Sequence, residues 1–235
     1  MRSARLPGKP LADIAGAPRI VHVIRRAHAA AIGPVLVATD DAEIAWIIES
    51  EGTRAVMTRP DHLSGTDRVA EAVAQVDPHR SHEIVVNLQG DEPEIDPAAL
   101  RAVLEPLDNA AADIATLAAP LADHERCDPN AVKLSGAPRG ARLIEECRFT
   151  RNAAPETEGP PWRHIGVYAF RRAALQRFVA LPPSANERRE KLEQLRALDH
   201  GMRIDAALVD YAPRGVDTPA DLAAVRERFA KGLIR

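Results

Sequence analysis

The feature that most constrains the fold is a repeated alternation of short apolar runs with longer amphipathic segments. The apolar runs predict strands at 35–39, 84–89, 114–121, 131–134, 165–170 and 204–209. The segments around them predict helices at 18–30, 41–51, 66–76, 97–107, 172–180, 186–200 and 219–231. Such alternation predicts an α/β fold with a mainly parallel central sheet flanked by helices.

One region departs from this alternation. Residues 135–140 predict a tight connection between two strands, and the proline-rich residues 152–163 predict an irregular surface loop. We therefore predict one domain over 1–235 that carries 112–185 as an inserted, β-rich subdomain for dimerisation or sugar binding.

Charge and composition exclude several classes of partner. Lys and Arg number 31 against 34 Asp and Glu, a net charge of −3, so no global positive field is present to hold nucleic acid. Aromatic residues make up only 3%, too few for a platform that stacks bases. No apolar run approaches the roughly 18 residues of a membrane span. Cys127 and Cys147 form no close pair, which is typical of reduced thiols, and a cytoplasmic location is expected.

A basic glycine loop lies near the N-terminus, in the run Arg5-Leu6-Pro7-Gly8-Lys9-Pro10. Gly8 allows a ligand to approach the backbone closely, while Arg5 and Lys9 could clamp a polyphosphate. The alternative is a solvent-exposed basic loop without a ligand.

Two aspartates follow predicted strands: Asp91 comes after 84–89, and Asp217 comes after 204–209. Ligands of open α/β sheets bind outside the carboxyl ends of the strands. Mg²⁺ usually takes one or two carboxylates together with phosphate oxygens and water, so this pair is a candidate metal site. Each aspartate could instead be a helix cap or a turn residue.

Three further patterns could bind a polar ligand. Ser64-Gly65 can open a helix whose free N–H groups face an anion or a base edge, or can simply cap that helix. Strand alternation places His164, Gly166 and Tyr168 on one face, although a lone histidine is more often structural. In the predicted helix 186–200, Leu192 and Leu195 mark the buried stripe. Gln194 falls on the opposite face, which is normally solvated.

Taken together, the motifs resemble those of the 3-deoxy-D-manno-octulosonate (Kdo) cytidylyltransferases, or CMP-Kdo synthetases. The matching strings run in order from residue 5 to residue 222: RLPGKPL, DHLSGTDR, VNLQGDEP, DPNAVKL, RHIGVYAF, KLEQLRAL and GVDTPADL. The resemblance implies a nucleotidyltransferase-type α/β fold and a homodimer. It also implies a Mg²⁺-dependent reaction of CTP with Kdo, giving CMP-Kdo and pyrophosphate for lipopolysaccharide assembly.

The resemblance also implies roles for individual residues. Contacts to CTP would come from Arg5 and Lys9 at the phosphates, from Ser64, Gly65 and Arg68 around the cytidine, and from Gln89 between nucleotide and sugar. Mg²⁺ would be held by Asp91 and Asp217, and Kdo by His164, Glu193 and Gln194. The sugar's anomeric hydroxyl would attack the α-phosphorus in line, with Arg5, Lys9, Asp91 and Asp217 as the catalytic groups.

Two departures from the family pattern affect what is expected. Family members carry an apolar strand and a Pro-Ala-Arg segment before the RLPGKP loop, whereas Met1 stands four residues before Arg5 here. This first strand is expected to be absent, and the natural start to lie further upstream. The run 149–155 also differs from the family's aromatic-Ser-Arg-Ala-x-x-Pro pattern.

Two alternative functions stay open: a cytidylyltransferase for a related acid such as amino-Kdo or sialic acid, and an inactive nucleotide-binding protein.

Overall fold

The computed structural model describes residues 9–152, 161–213, 215–216 and 218–232. The chain divides into two compact units. The first unit takes the segment up to Val76, Leu88–Leu100 and the segment from Pro213, and the second takes Asp77–Asn87 and Arg101–Ala212. The predicted bounds of an inserted subdomain at 112–185 stay a prediction.

Strands and helices follow one another through both units. The strands are β1 (Asp13–Ile14), β2 (Ala17–Pro18), β3 (Leu36–Thr39), β4 (Arg54–Met57), β5 (Ile84–Asn87), β6 (Ile114–Pro120), β7 (Lys133–Arg139), β8 (Leu143–Thr150), β9 (Trp162–Arg171) and β10 (Ile204–Leu208). The helices are α1 (Arg19–Ala30), α2 (Ala42–Ser50), α3 (Gly65–Val76), α4 (Pro97–Ala102), α5 (Arg172–Ala180), α6 (Ala185–Glu190), α7 (Gln194–Asp199) and α8 (Pro219–Ala230). Within the described residues, none of these helices has the length and apolar character needed to cross a membrane.

In the first unit, strands β3 and β4 pair in parallel, and helices α1 and α2 supply much of the core. Apolar residues recur on one stripe of α1 because a helix of 3.6 residues per turn brings such positions onto one face. The buried cluster comprises Ile20, Val21, Val23, Ile24 and Ile48.

The second unit contains a six-stranded sheet in the order β5-β9-β6-β10-β8-β7. Among its described pairings only β6 with β10 is parallel, so the prediction of a mainly parallel sheet is wrong and the sheet is mixed. The reason lies in the connections. Parallel neighbours need a long crossover, whereas β7, β8 and β9 follow one another with no helix among the described residues between them, and they pair antiparallel.

The predicted connection at 135–140 is also wrong, because β7 continues through most of it to Arg139. The ladder between β7 and β8 is irregular between Ser135 and Ala137, which is where Gly136 lies. A Cβ built on Gly136 would stand 2.5 Å from the carbonyl oxygen of Glu145. Glycine at this irregularity therefore allows two backbones to approach more closely than a side chain permits.

The predicted helix 186–200 is divided into α6 and α7. Lys191 ends α6 in the left-handed region, with a φ of 54°, and α7 begins at Gln194.

The predicted helix starts at 97 and 219 are confirmed. Asp96 accepts a hydrogen bond from the backbone of Ala98 ahead of α4, and Thr218 forms a capping box with Asp221 on α8.

Replacing Gly136 with alanine should destabilise the protein by about 1–3 kcal/mol, because the new methyl group would overlap the backbone of β8. Chemical denaturation measures this change in the free energy of unfolding. Gly33→Ala is the matched control, since no described atom lies within 4 Å of a Cβ built there. Equal stability of the two variants would contradict the proposed close approach.

Candidate active site

In the first unit, the loop that follows β5 meets the segment that precedes α8. The backbone N–H of Val216 donates to the carbonyl of Asp91 at 3.0 Å. A Cβ on Gly215 would stand 3.4 Å from a carboxylate oxygen of Glu92. The chain positions next to Asp217 are therefore adjacent to Asp91, as the predicted metal site requires.

Two arginines fix these loops within the first unit. The guanidinium of Arg19, 3% exposed at the start of α1, donates to the carbonyl of Val216 at 2.6 Å. Arg228 near the end of α8 makes a two-point ion pair with Glu94, with both N–O distances 2.7 Å. Such paired bonds define orientation as well as distance, so they hold α8 against the loop that carries Asp91.

Only part of the predicted phosphate and metal machinery can be placed. Asp91 is partly buried, and its carboxylate is the kind of hard oxygen ligand that Mg²⁺ prefers. Asp217 and Arg5 lie outside the described residues, as does the side chain of Lys9. In the part of the chain that is described, no group of three or more His, Cys, Asp or Glu residues could hold a metal by itself.

Ser64 and Gly65, predicted around the cytidine, come together in the first unit with Gln89, predicted between nucleotide and sugar. The hydroxyl of Ser64 accepts from the backbone of Asp67 at 3.1 Å, so it caps α3. A Cβ on Gly65 would stand only 3.3 Å from the amide oxygen of Gln89. The glycine thus leaves room for the Gln89 amide beside the first turn of α3, where backbone N–H groups have no partner within the helix.

Arg68, also predicted near the cytidine, has a structural role. One guanidinium nitrogen lies 3.1 Å from a carboxylate oxygen of Asp40 and 2.7 Å from the hydroxyl of Thr58. Asp40 and Thr58 directly follow β3 and β4, so Arg68 ties together the carboxyl ends of two parallel strands. Its predicted contact with cytidine stays a prediction.

The second unit carries a polar face on β9. Strand alternation holds as predicted: Ile165 and Val167 are buried, while His164, Gly166 and Tyr168 keep partial exposure on the other face. The rings of His164 and Tyr168 lie 5.5 Å apart between centroids. This face therefore combines two aromatic side chains with the close approach that a glycine allows.

Hydrogen bonding defines the state of His164. Thr116 Oγ1 donates to the carbonyl of Val167 at 2.8 Å and lies 3.0 Å from His164 Nε2. A hydroxyl has one hydrogen, so Thr116 accepts from Nε2–H, and Nδ1 of the neutral ring keeps its lone pair. Desolvation by burial lowers the pKa of His164 to about 3, which keeps the ring neutral near pH 7.

Glu193, the residue before Gln194, lies close enough to Tyr168 on this face to act on its phenol. Burial and the negative charge of Glu193 raise the pKa of Tyr168 well above its ordinary value, so the phenol stays neutral. Gln194 is only 6% exposed, and its Nε2 has no hydrogen-bond partner among the residues that the structure describes. A buried amide donor without a partner is costly in a folded protein, and a ligand oxygen would satisfy it.

Comparison with known families agrees with the motifs. Residues 1–204 match the family model described as cytidylyltransferase. The chain belongs to the cytidylyltransferase family.

Relatives within this family support the more specific resemblance. A 3-deoxy-manno-octulosonate cytidylyltransferase of Rhodopseudomonas palustris (strain BisB18) is 61% identical, over 98% of this chain and 94% of the relative. A protein of the same name from Bradyrhizobium sp. (strain ORS 278) is 58% identical over 98% and 94%. The resemblance to the Kdo cytidylyltransferases is therefore confirmed.

Solved structures confirm the nucleotidyltransferase-type α/β fold. A CMP:2-keto-3-deoxy-manno-octonic acid synthetase complexed with CTP matches with a TM-score of 0.87 and 39% identity, over 98% of this chain and 95% of the other. An apo UDP-glucose pyrophosphorylase matches with a TM-score of 0.65 at 13% identity, over 98% and 92%, which shows the fold alone.

Sequence reasoning did not select several residues that the structure places in contact with, or next to, the candidate site residues. Strand alternation predicted that Tyr168 shares a face with His164, but it gave no reason to select Tyr168 as a site residue. Thr116 and Arg19 carry no local signal, because each acts through a partner distant in sequence. Arg196 pairs with Glu187 across the break between α6 and α7, which the sequence did not predict.

Stability should fall in acid because of His164. Its folded-state pKa is about 3, whereas an unfolded histidine titrates near 6.5, so below about pH 6.5 only the unfolded chain takes the proton. For each unit by which the pH falls below about 6.5, the wild type should lose up to about 1.4 kcal/mol more unfolding free energy than His164→Asn. Denaturant titrations between pH 7 and pH 5 measure this difference.

Thr116→Val is the control for this titration, because it removes the hydroxyl partner but keeps the imidazole. Its unfolding free energy should keep a pH dependence like that of the wild type. Parallel profiles for the wild type and His164→Asn would contradict the lowered pKa.

Proposed function

We propose that this chain transfers CMP from CTP to Kdo and releases pyrophosphate. The observation that carries the proposal is the near full-length match to a CMP-Kdo synthetase complexed with CTP, at 39% identity and a TM-score of 0.87. The 61% identity to a curated 3-deoxy-manno-octulosonate cytidylyltransferase supports the same reaction.

The chemistry of the second unit supports a hydroxyl-rich acid as the acceptor. His164 Nδ1 offers an acceptor for a sugar hydroxyl, and the Gln194 amide offers a donor. Glu193 adds a carboxylate that can accept from hydroxyl groups. Neutral His164 and Tyr168 provide polar contacts without titrating near pH 7, so binding would not depend on their ionisation.

For the nucleotide, we propose the residues that the family resemblance implies. Arg5 and Lys9 bind the triphosphate, Ser64, Gly65 and Arg68 surround the cytidine, and Gln89 lies between nucleotide and sugar. Asp91 and Asp217 hold Mg²⁺, which, when bound, neutralises charge on the phosphate oxygens. The bond between Val216 and Asp91 supports this assignment, because it keeps the two ligand-bearing loops adjacent.

The proposed reaction needs no covalent enzyme intermediate. The anomeric hydroxyl attacks the α-phosphorus in line, and pyrophosphate leaves from the opposite side. Protein groups then contribute mainly by positioning both substrates and by placing fixed charges where phosphate charge develops.

We further propose that the chain forms a cytoplasmic homodimer that supplies CMP-Kdo for lipopolysaccharide assembly. Light scattering would test the homodimer by measuring its mass in solution.

Pyrophosphate release tests the reaction. Release from CTP should require both Kdo and Mg²⁺. Asp91→Asn should lower kcat roughly 100-fold, because it removes a charge from the phosphate site. Asp123→Asn is the matched control, since that side chain is 99% exposed and pairs only at the surface with Arg126 among the described residues. Its rate should equal that of the wild type.

Substrate omission and substitution separate the alternatives. Equal or faster turnover of sialic acid or amino-Kdo would overturn Kdo as the acceptor. Binding of CTP without pyrophosphate release from any sugar acid would overturn the enzymatic function.

Gly65→Ala tests the nucleotide side independently. The added methyl would stand 3.3 Å from the Gln89 amide oxygen and displace it, so the KM for CTP should rise ~10-fold. Thermal stability should not fall, because alanine favours a helix more than glycine does. Gly33→Ala should change neither quantity. An unchanged KM for CTP in Gly65→Ala would contradict a role for this close contact.

A further inference from the structure

Arg196 is a buried cation two residues after Gln194, and no proposed step uses it. It is 3% exposed, on the short helix α7. Its Nε and Nη2 donate to the two carboxylate oxygens of Glu187 at 2.9 and 2.6 Å. A two-point pair of this kind fixes both the distance and the plane of the guanidinium.

The partner Glu187 is itself held in place. The Glu187 carboxylate accepts from the backbone of Ser184 at 3.0 Å, and the Ser184 hydroxyl accepts from the backbone of Glu187 at 3.1 Å. This capping box fixes the first turn of α6. Arg196 therefore joins α7 to the rigid start of the preceding helix, across the turn at Lys191.

The face of the guanidinium has a second contact. Its central carbon lies 4.9 Å from the centroid of the Phe178 ring, within the range of a cation–π interaction. From Phe178 a row of rings continues through Phe170 to Tyr168 and His164, with centroid separations of 5.8, 6.1 and 5.5 Å. Arg196 thus links the helix that carries Gln194 to the strand that carries His164.

We propose that Arg196 is a positioning residue for the sugar acid. Its pair with Glu187 and its stacking on Phe178 hold α7, and with it Gln194 and the preceding Glu193, against α6 and α5. This inference rests on the proposed function. Arg196 acts through these neighbours, so its loss should weaken sugar binding and leave nucleotide binding intact.

Steady-state kinetics with Kdo and CTP varied separately test this role. Arg196→Met should raise the KM for Kdo ~10-fold and change the KM for CTP less than about twofold. Arg196→Lys should give an intermediate KM for Kdo, because lysine keeps the charge but loses the two-point pair. Glu187→Gln should shift the KM for Kdo in the same direction. In the double variant, Glu187→Gln should raise the KM for Kdo little beyond the value for Arg196→Met alone, because both changes break the same ion pair.

Two controls separate positioning from stability. Arg177→Met removes an exposed arginine of α5 that donates to the carbonyl of His200, directly after α7, and should leave both KM values unchanged. Gly136→Ala lowers the stability of the same unit and should also leave the KM for Kdo unchanged. If Arg196→Met does not fold, Arg196→Lys and Glu187→Gln still decide the question.

The outcomes distinguish this inference from the proposed function. A wild type that releases no pyrophosphate with Kdo would overturn the proposed function itself. An active wild type whose Arg196 and Glu187 variants lose thermal stability, but keep the wild-type ratio of the two KM values, would overturn the positioning role alone. In the wild type, Kdo should raise the melting temperature, and this rise should shrink in Arg196→Lys.

Discussion

The second unit depends on strand β9, which hydrogen-bonds to β5 on one side and to β6 on the other. β9 pairs with β5 at 168–171, and with β6 at 162–165 and 168–170, with an irregularity at 166–167. In these paired stretches a slip of one residue would turn each side chain to the opposite face. This constraint holds His164 and Tyr168 on one face and Ile165 and Val167 on the other. The face proposed to bind the sugar thus depends on the pairing of β9 with its neighbours.

Arginines that are buried, or that pair with a buried carboxylate, organise the loops and short helices that the sheet does not hold. In the first unit Arg19 binds the carbonyl of Val216, and Arg228 pairs with Glu94. In the second unit Arg196 pairs with Glu187. Burying a charge is costly unless it is paired, and removing one partner of a buried pair typically costs about 3–5 kcal/mol. Such contacts therefore define geometry strictly, which suits segments that present side chains to a ligand.

Much of the fold could be predicted from local patterns. Strand candidates at 84–89, 165–170 and 204–209 coincide with β5, β9 and β10, because their apolar runs and flanking turn residues are local signals. Caps at Asp96 and Thr218 were predictable for the same reason. The direction of strand pairing could not be predicted from local patterns, since it depends on which distant strands become neighbours. Gln194 shows the same limit: a continuous helix would place it on the solvated face, but the break at Lys191 starts a new helix in which it is buried.

The sequence by itself determined the family, the strand–helix alternation and the identity of the candidate site residues, because motifs and periodicity are written in neighbouring positions. Only the tertiary structure decided the mixed sheet, the neutral tautomer of His164, the approach of Gln89 to Gly65 and the pairing of Arg196 with Glu187. Each of these depends on distance in space and on exclusion of water. Those two quantities are set by packing between segments and leave no local pattern in the chain.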